Sequence, residues 1–281
     1  MFYSLLTALS WALTGIFIAY ISEVNFIEIT WIRATVALVI LIPFSLKQIN
    51  FNAKATSISL LMSLYYASAT AAFTLAPVSC VALLIATSPL FTILLRMITK
   101  DRISNASKYG SIIGFLGIVI FFSNYLINRF DFSMKLLWGS LLACLAALLK
   151  ATYSFVLFKS KRFKEESSRN LTIQTFLIIS VLLLPSTNID SFFTLSPISY
   201  LNILMLSVVA TILPTLFNTM ASKTVNATTH TSICLLTPLF ASALADLFLQ
   251  QYLHLIQVAG AFVTILGVLI STEKILLRRK R

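Results

Sequence analysis

The sequence predicts an all-α integral membrane protein whose ten transmembrane helices form two inverted five-helix repeats. Apolar residues make up 58% of the 281-residue chain, charged residues 11%, and the mean hydropathy is +0.93. Segments of about 20 apolar residues match a hydrocarbon core about 30 Å thick. Backbone groups in lipid must be hydrogen-bonded within their segment, so these segments are predicted to be helices. Ten such spans are predicted, at 2–21, 28–46, 56–75, 78–98, 108–127, 136–158, 170–186, 199–221, 229–249 and 254–272.

An internal repeat supports this organisation. Ser-Pro-Leu-Phe at 88–91 recurs 149 residues later as Thr-Pro-Leu-Phe at 237–240, and two glycines, 110 and 117, recur as 260 and 267. Each copy contains five spans, an odd number, so the second copy must be inverted in the membrane. We predict repeats at 1–127 and 136–272, followed by a basic cytoplasmic tail at 273–281.

The basic residues predict the orientation. With the amino terminus inside, the inner segments hold 17 of the 21 Lys and Arg residues, whereas the outer segments hold only Arg129 and Lys135. This asymmetry predicts a cytoplasmic (inner) membrane protein with both termini in the cytoplasm. The net charge of +12 is therefore mainly a topology signal, and no basic face interleaved with aromatic residues suggests nucleic-acid binding.

Several short motifs resemble the EamA-type branch of the drug/metabolite transporter superfamily. Ala8-Leu9-Ser10-Trp11-Ala12 resembles the opening of that family's first helix, and Trp31-Ile32-Arg33-Ala34 resembles its second. The repeated Pro-Leu-Phe and the repeated glycines match its fourth, ninth, fifth and tenth helices. The family's Gly-Glu-Arg after the fourth and ninth helices is replaced by Lys100-Asp101-Arg102 and Gln250-Gln251-Tyr252, so no role for that Glu transfers here. The resemblance implies two bundles around a central cavity, with the fifth and tenth helices at the periphery.

Polar residues recur at helical spacing on three spans. Trp11 and Thr14 continue a stripe that begins at Ser4, and Tyr66 and Thr70 belong to a stripe on the third span. The third stripe lies on the eighth span and comprises Thr211, Thr215, Asn218 and Ser222. A period of 3.6 residues places each set on one helix face. Such stripes serve either interhelical hydrogen bonding or the wall of a wet cavity, and we favour the cavity wall.

Three intramembrane charges, Arg33, Lys150 and Asp246, are the most informative. A charge facing lipid costs at least about 2.5–3.5 kcal/mol at the bilayer centre, so each is expected to face the interior. Lys150 is deepest, and we predict that it attracts a substrate carboxylate or phosphate. Arg33 and Asp246 lie at similar depths near the outer surface, on different repeats, and we predict that they pair as an outer gate; contact of each with headgroups is the alternative.

The remaining features have mainly structural interpretations. Pro89 and Pro238 are predicted to kink their helices at symmetric positions, shaping the cavity or acting as hinges. His230 and His254 lie alone near helix ends and the three cysteines lack ligand spacing, so no metal site is predicted. No nucleotide-binding loop is present, and neither a cofactor nor an enzymatic activity is expected.

These observations predict a secondary transporter of a small organic metabolite, such as a zwitterionic or anionic amino acid or derivative, working by alternating access. Trp11, Thr14, Tyr66, Thr70, Lys150 and Asn218 are the candidate substrate-binding residues. The expected partners are this substrate and the lipid bilayer. A coupling proton would have to use Asp246 or the substrate itself, and oligomeric state is not indicated. A non-transporting membrane protein (an assembly factor or intramembrane enzyme) and an exporter of cationic drugs are the alternatives.

Overall fold

The computed structural model describes residues 1–21, 23–43, 50–76, 78–128, 133–249 and 254–278. This part of the chain is helical throughout, with short connections and without a β-strand. Its helices, in chain order, are α1 (Phe2–Ala12), α2 (Thr14–Ala19), α3 (Phe26–Leu41), α4 (Ala53–Leu75), α5 (Val78–Ile85), α6 (Ser88–Ile98), α7 (Asn105–Asn128), α8 (Met134–Lys159), α9 (Lys161–Lys164), α10 (Ser168–Leu183), α11 (Asp190–Phe193), α12 (Pro197–Ser207), α13 (Leu213–Thr224), α14 (Ala227–Ile233), α15 (Leu236–Leu249) and α16 (Leu255–Arg278).

The predicted helical membrane fold is confirmed. Seven segments of the described chain are long and apolar enough to cross a membrane: 53–75, 80–98, 105–123, 134–159, 168–186, 197–224 and 255–272. The other three predicted spans correspond to shorter helices, namely α1 with α2, α3, and α14 with α15. The arrangement is therefore consistent with ten crossings. Helix α16 continues into the predicted basic tail as far as Arg278, and residues 279–281 lie outside the description.

Helix ends follow local sequence signals. Asn25 caps α3 by accepting from the backbone N–H groups of Ile27 and Glu28, and the Glu28 carboxylate accepts from the N–H of Asn25. This reciprocal pair satisfies backbone donors that a helix start leaves unpaired. At the end of α4, Ala76 is extended because a proline follows it.

Two transmembrane segments are broken near the repeated prolines. The turn between α5 and α6 lies at Ala86 and Thr87, and that between α14 and α15 at Cys234 and Leu235. The kinks at Pro89 and Pro238 stay a prediction, and each proline follows the turn, within the first turn of the next helix. A proline has no N–H to donate to the carbonyl four residues earlier. At the first break the hydroxyl of Ser88 donates to the carbonyl of Ile85 over 2.7 Å.

Glycines join the last helix of each repeat. Helices α7 and α16 run antiparallel, and a β-carbon placed on Gly110, Gly117, Gly260 or Gly267 would overlap backbone atoms of the partner helix. Backbones can approach this closely only where side chains are absent. The outer faces of the two helices carry exposed Leu and Ile residues. The pair therefore packs at the side of the bundle, as the resemblance implied.

The antiparallel order of the spans defines two ends of the bundle. We call the end at which α1 begins the near side and the opposite end the far side. Helices α3, α6, α8 and α13 end at the near side, and α4, α10 and α14 begin there. Along α4 and α10, which run parallel, the hydroxyls of Ser59 and Ser63 donate to the carbonyls of Leu171 and Thr175.

Candidate functional site

A cavity of about 460 Å³ lies in the far-side half of the bundle. Helices α1 to α6, α8, α14 and α15 contribute to its wall. Its polar and charged lining comprises Trp11, Thr14, Thr30, Arg33, Tyr65, Tyr66, Ser88, Thr70, Lys150, Thr231 and Thr237. The lining reaches Ile18, Phe26 and Phe73, which lie at the far-side ends of their helices. The cavity therefore extends from the middle of the bundle towards the far side.

Lys150 lies at the inner end of this cavity and is 6% exposed. Its Nζ is 4.3 Å from the ring centroid of Trp11 and 5.9 Å from that of Tyr65. An ammonium over an aromatic face gains about 0.5–2 kcal/mol, which offsets part of the cost of burying the charge. No carboxylate whose side chain the structure describes lies within ion-pair distance of it. Trp11 and Lys150, on α1 of the first repeat and α8 of the second, thus meet directly.

A second cation lies in the same cavity. Arg33 is half-buried, and its Cζ is 5.7 Å from the ring centroid of Tyr66. The hydroxyl of Tyr66 in turn forms a hydrogen bond of 2.8 Å with that of Thr215. The side chain of Asp246 lies outside the described part of the structure, so its pairing with Arg33 as an outer gate stays a prediction.

Tyr65 is a cavity residue that the sequence analysis missed. Its ring centroid is 5.3 Å from that of Tyr66 and 6.3 Å from that of Trp11. Adjacent residues on a helix point about 100° apart, so a single polar stripe on α4 included Tyr66 alone. The sequence signal that could have identified Tyr65 is the adjacent pair Tyr65-Tyr66, because the cavity is wide enough for both rings to line it.

Two predicted binding residues, Thr14 and Thr70, also line the cavity, and Thr70 donates to the hydroxyl of Thr30 over 3.1 Å. Asn218 does not line it. Its Oδ1 lies 3.0 Å from Nε2 of His230, whose Nδ1 lies 3.1 Å from the hydroxyl of Ser4. Asn218 and His230 are fully buried, and the Asn218 amide nitrogen has no partner among the described residues. His230 is thus bonded in the interior rather than alone.

The polar stripes therefore divide into two parts. Trp11, Thr14, Tyr66 and Thr70 line the cavity, whereas other members form hydrogen bonds between helices, namely Ser4, Ser59, Ser63, Asn218 and Ser222. Bonds between the repeats join Thr92 to Thr231 at 3.1 Å and Ser111 to Ser232 at 2.6 Å. Thus both interpretations of the stripes apply, each to some of their members.

Charged groups continue this closure at the near-side surface. The guanidinium of Arg96 donates to the side chains of Asn226 at 2.9 Å and Thr228 at 3.3 Å. Lys159 forms an ion pair with Asp101, with 3.0 Å between Nζ and Oδ1. In both contacts one residue belongs to the first repeat and the other to the second. The near side is closed in this structure.

The cavity's chemistry suits an organic ligand with an anionic group. It offers two cations, five aromatic side chains and several hydroxyls, with apolar surface towards the far side. In the described part of the chain, no group of three or more His, Cys, Asp or Glu residues is placed to hold a metal ion. Charge attraction, ring contacts and hydroxyl hydrogen bonds are the interactions that this site can provide.

A helical multi-pass membrane protein with two repeats around such a cavity has the architecture of a membrane transporter. The model of the EamA-like transporter family matches residues 1–123 and 137–272, and the chain belongs to this family. A solved crystal structure that is 15% identical resembles it with a TM-score of 0.79, over 97% of this chain and 96% of that one, which shows a shared fold. No curated protein matches the sequence. As a member of this family the chain is a transporter of a small-molecule substrate, and it lies in the lipid bilayer.

Proposed function

We propose that this protein is a secondary transporter that moves a small zwitterionic or anionic metabolite, such as an amino acid or a derivative, across the cytoplasmic membrane by alternating access. In this proposal the near side of the bundle and both termini of the chain face the cytoplasm. Lys150 would bind the substrate's carboxylate or phosphate, Trp11 and Tyr66 would contact its body, and Thr14 and Thr70 would donate hydrogen bonds. Asn218 would act through the near-side network rather than by substrate contact.

The observation that carries this proposal is the environment of Lys150. Its ammonium is buried against aromatic rings at the inner end of the cavity, without a carboxylate partner among the described side chains. A buried charge is stabilised by a hydrogen-bonded counterion. A substrate carboxylate would supply that counterion at a point reached from the far side. Arg33, also in the cavity, increases the attraction for anions.

The same charges argue against the alternative substrates and activities. A cationic drug would be repelled by two cations in a cavity of about 460 Å³. An intramembrane enzyme requires a positioned nucleophile, base or metal. Lysine and arginine beside phenol and indole rings bind anions instead. Transport rather than catalysis is therefore the function that this site favours.

The separation of an open far side from a closed near side supports alternating access. The bonds that close the near side connect the two repeats, so they must break together when that side opens. Each replaces a bond to water, and its net contribution is about 0.5–1.5 kcal/mol. A set of such contacts can hold one state without making it permanent. A proton coupled to transport would be carried by Asp246 or by the substrate.

Ligand-dependent thermal unfolding of the purified full-length protein tests the substrate class. Each of a panel of amino acids is compared with the amine that lacks its carboxylate. We expect at least one amino acid to raise the unfolding temperature in a saturable way, and its amine to have no effect. Loss of a charged hydrogen bond in Lys150→Gln should weaken that binding by roughly 1.5–3 kcal/mol, about 10- to 150-fold.

The matched control is Lys54→Gln, which removes the same charge from an exposed position at the start of α4. It should bind the amino acid as the wild type does. Equal stabilisation by amino acid and amine, or unchanged affinity in Lys150→Gln, would contradict the assignment of Lys150.

A further inference from the structure

A second cavity, of about 380 Å³, lies at the near-side surface and is separate from the first. It is formed where α6, α8 and α14 meet, between the two repeats. Four basic residues, Arg96, Arg102, Lys159 and Lys164, and one acidic residue, Asp101, line it together with Phe155, Phe158 and Ala227. We call it the basic pocket. Its lining carries a net charge of +3.

Among the described residues, an acidic group in contact neutralises only one of these four positive charges, that of Lys159. Asp101 pairs with Lys159, the single ion pair among the described residues. The Arg96 guanidinium is held by neutral acceptors only: the side chains of Asn226 and Thr228 and the carbonyl of Arg102. Lys164 contacts the ring of Phe158, with 4.6 Å from its Nζ to the ring centroid. The pocket lining therefore presents a net positive charge to any bound ligand.

The concave arrangement distinguishes this pocket from an ordinary solvated basic loop. Hydrogen bonds hold the Arg96 side chain in place, and the ammonium groups of Lys159 and Lys164 lie over the rings of Phe155 and Phe158. Positioned cations around a concave surface attract an anion more strongly than mobile ones, because less side-chain freedom is lost on binding. Arginine and lysine together suit the several oxygens of a phosphate group.

We propose that the basic pocket binds a phosphate group and that the bound phosphate joins the two repeats at the near side. Arg96 and Arg102 come from the first repeat, and Lys159 and Lys164 from the second. A phosphate among them attracts both sets of cations and stabilises the near-side-closed state. The phosphate belongs either to the headgroup of an anionic phospholipid or to a soluble phosphate compound, since the pocket lies at the end of the transmembrane helices. This site is independent of the substrate proposed for the far-side cavity.

Thermal unfolding of the full-length protein in neutral detergent measures this binding, with inorganic phosphate as the probe and sodium chloride added to keep the ionic strength constant. We expect phosphate to raise the unfolding temperature in a saturable way, and chloride alone to have no such effect. In Arg102→Gln/Lys164→Gln, the apparent affinity for phosphate should fall at least tenfold. Neither side chain forms an ion pair with a described residue, so the fold should persist.

The control Lys54→Gln/Lys108→Gln removes two charges from the same side but outside the pocket, and it should bind phosphate as the wild type does. Equal stabilisation by chloride and phosphate, or equal loss in both double variants, would overturn the proposal and leave only a diffuse charge effect. A failure of Lys150 to bind amino acids would not change this outcome.

Nanodiscs distinguish the two sources of phosphate. If the ligand is a lipid headgroup, the wild type should be more stable in discs containing phosphatidylglycerol than in phosphatidylcholine, and added inorganic phosphate should have no further effect there. If it is soluble, inorganic phosphate should stabilise the protein equally in both discs. In Arg102→Gln/Lys164→Gln, both the stabilisation by phosphatidylglycerol and the stabilisation by inorganic phosphate should be absent. If either effect persists in this variant, the basic pocket is not the phosphate site.

Discussion

At the residue scale, the contact between Lys150 and Trp11 could be predicted but the bonds of Asn218 could not. Trp11 and Lys150 are 139 residues apart and occupy loosely equivalent positions in the first helices of the two inverted copies, which predicts that both approach the middle of the membrane from facing bundles. Asn218 belonged to an equally regular stripe, yet it bonds to His230 below the cavity. Periodicity identifies a helix face but does not show which level of that face is solvated.

A residue-scale prediction concerns Glu23 at the far side. Its carboxylate accepts from the hydroxyls of Ser196 and Ser199, each at 2.7 Å, and these bonds lower the pKa of Glu23 from 4.5 to about 2. The carboxylate also lies at the start of α12, where the helix dipole favours a negative charge. The ionised form is stabilised in the folded state, so its contribution is complete above pH 4.5 and is lost as the pH falls towards 2.

Thermal unfolding of wild type and Glu23→Gln across this range measures the effect. The variant should unfold at a lower temperature, by the same margin at pH 7 and pH 5, and the margin should shrink between pH 4.5 and pH 2. A margin that is independent of pH down to 2 would show that the charge of Glu23 has no role.

At the element scale, span positions were predictable and helix breaks were not. Long apolar runs gave α4, α8 and α10 to within a few residues of their observed ends, because their length is imposed by the bilayer. The breaks at 86–87 and 234–235 depend on where the freed carbonyls find other donors. Ser88 supplies one of these donors, which a sequence pattern does not reveal.

The glycine contact of α7 and α16 gives an element-scale prediction. A β-carbon on Gly267 would overlap the backbone of Gly114, so the helices must separate to accept Gly267→Ala. Overpacking of this kind costs about 1–3 kcal/mol. The unfolding temperature in detergent should fall clearly, whereas Leu266→Ala, at an exposed position on the same helix, should have little effect. Equal stability of Gly267→Ala and wild type would refute the close contact.

The proposed outer gate gives a second prediction at this scale. Arg33 on α3 lines the far-side half of the cavity, and α15 carries Asp246 towards the same side. If the two charges pair when the far side closes, Arg33→Asp and Asp246→Arg should each reduce transport, and the double swap should restore part of it. Additive losses without rescue would instead favour separate contacts with headgroups.

At the scale of the whole molecule, the inverted repeats and the membrane class were predictable, but the open side was not. Near-side bonds such as Ser111–Ser232 and Arg96–Asn226 join residues that are far apart in sequence. A protein that alternates between two arrangements, one open at each side, must populate both of them. The sequence pattern alone therefore does not show which arrangement is favoured. The structure adds that the cavity is open towards the far side and closed at the near side.

Flux into proteoliposomes tests the central claim most directly, namely that Lys150 makes this protein a carrier of carboxylate-bearing metabolites. The labelled amino acid that stabilises the protein is supplied outside vesicles loaded with the unlabelled compound. The account predicts uptake by wild type and Lys54→Gln well above that of protein-free vesicles, and loss of most of it in Lys150→Gln at a substrate concentration below the dissociation constant. Uptake that is unchanged in Lys150→Gln, or no wild-type uptake of any stabilising amino acid, would contradict it.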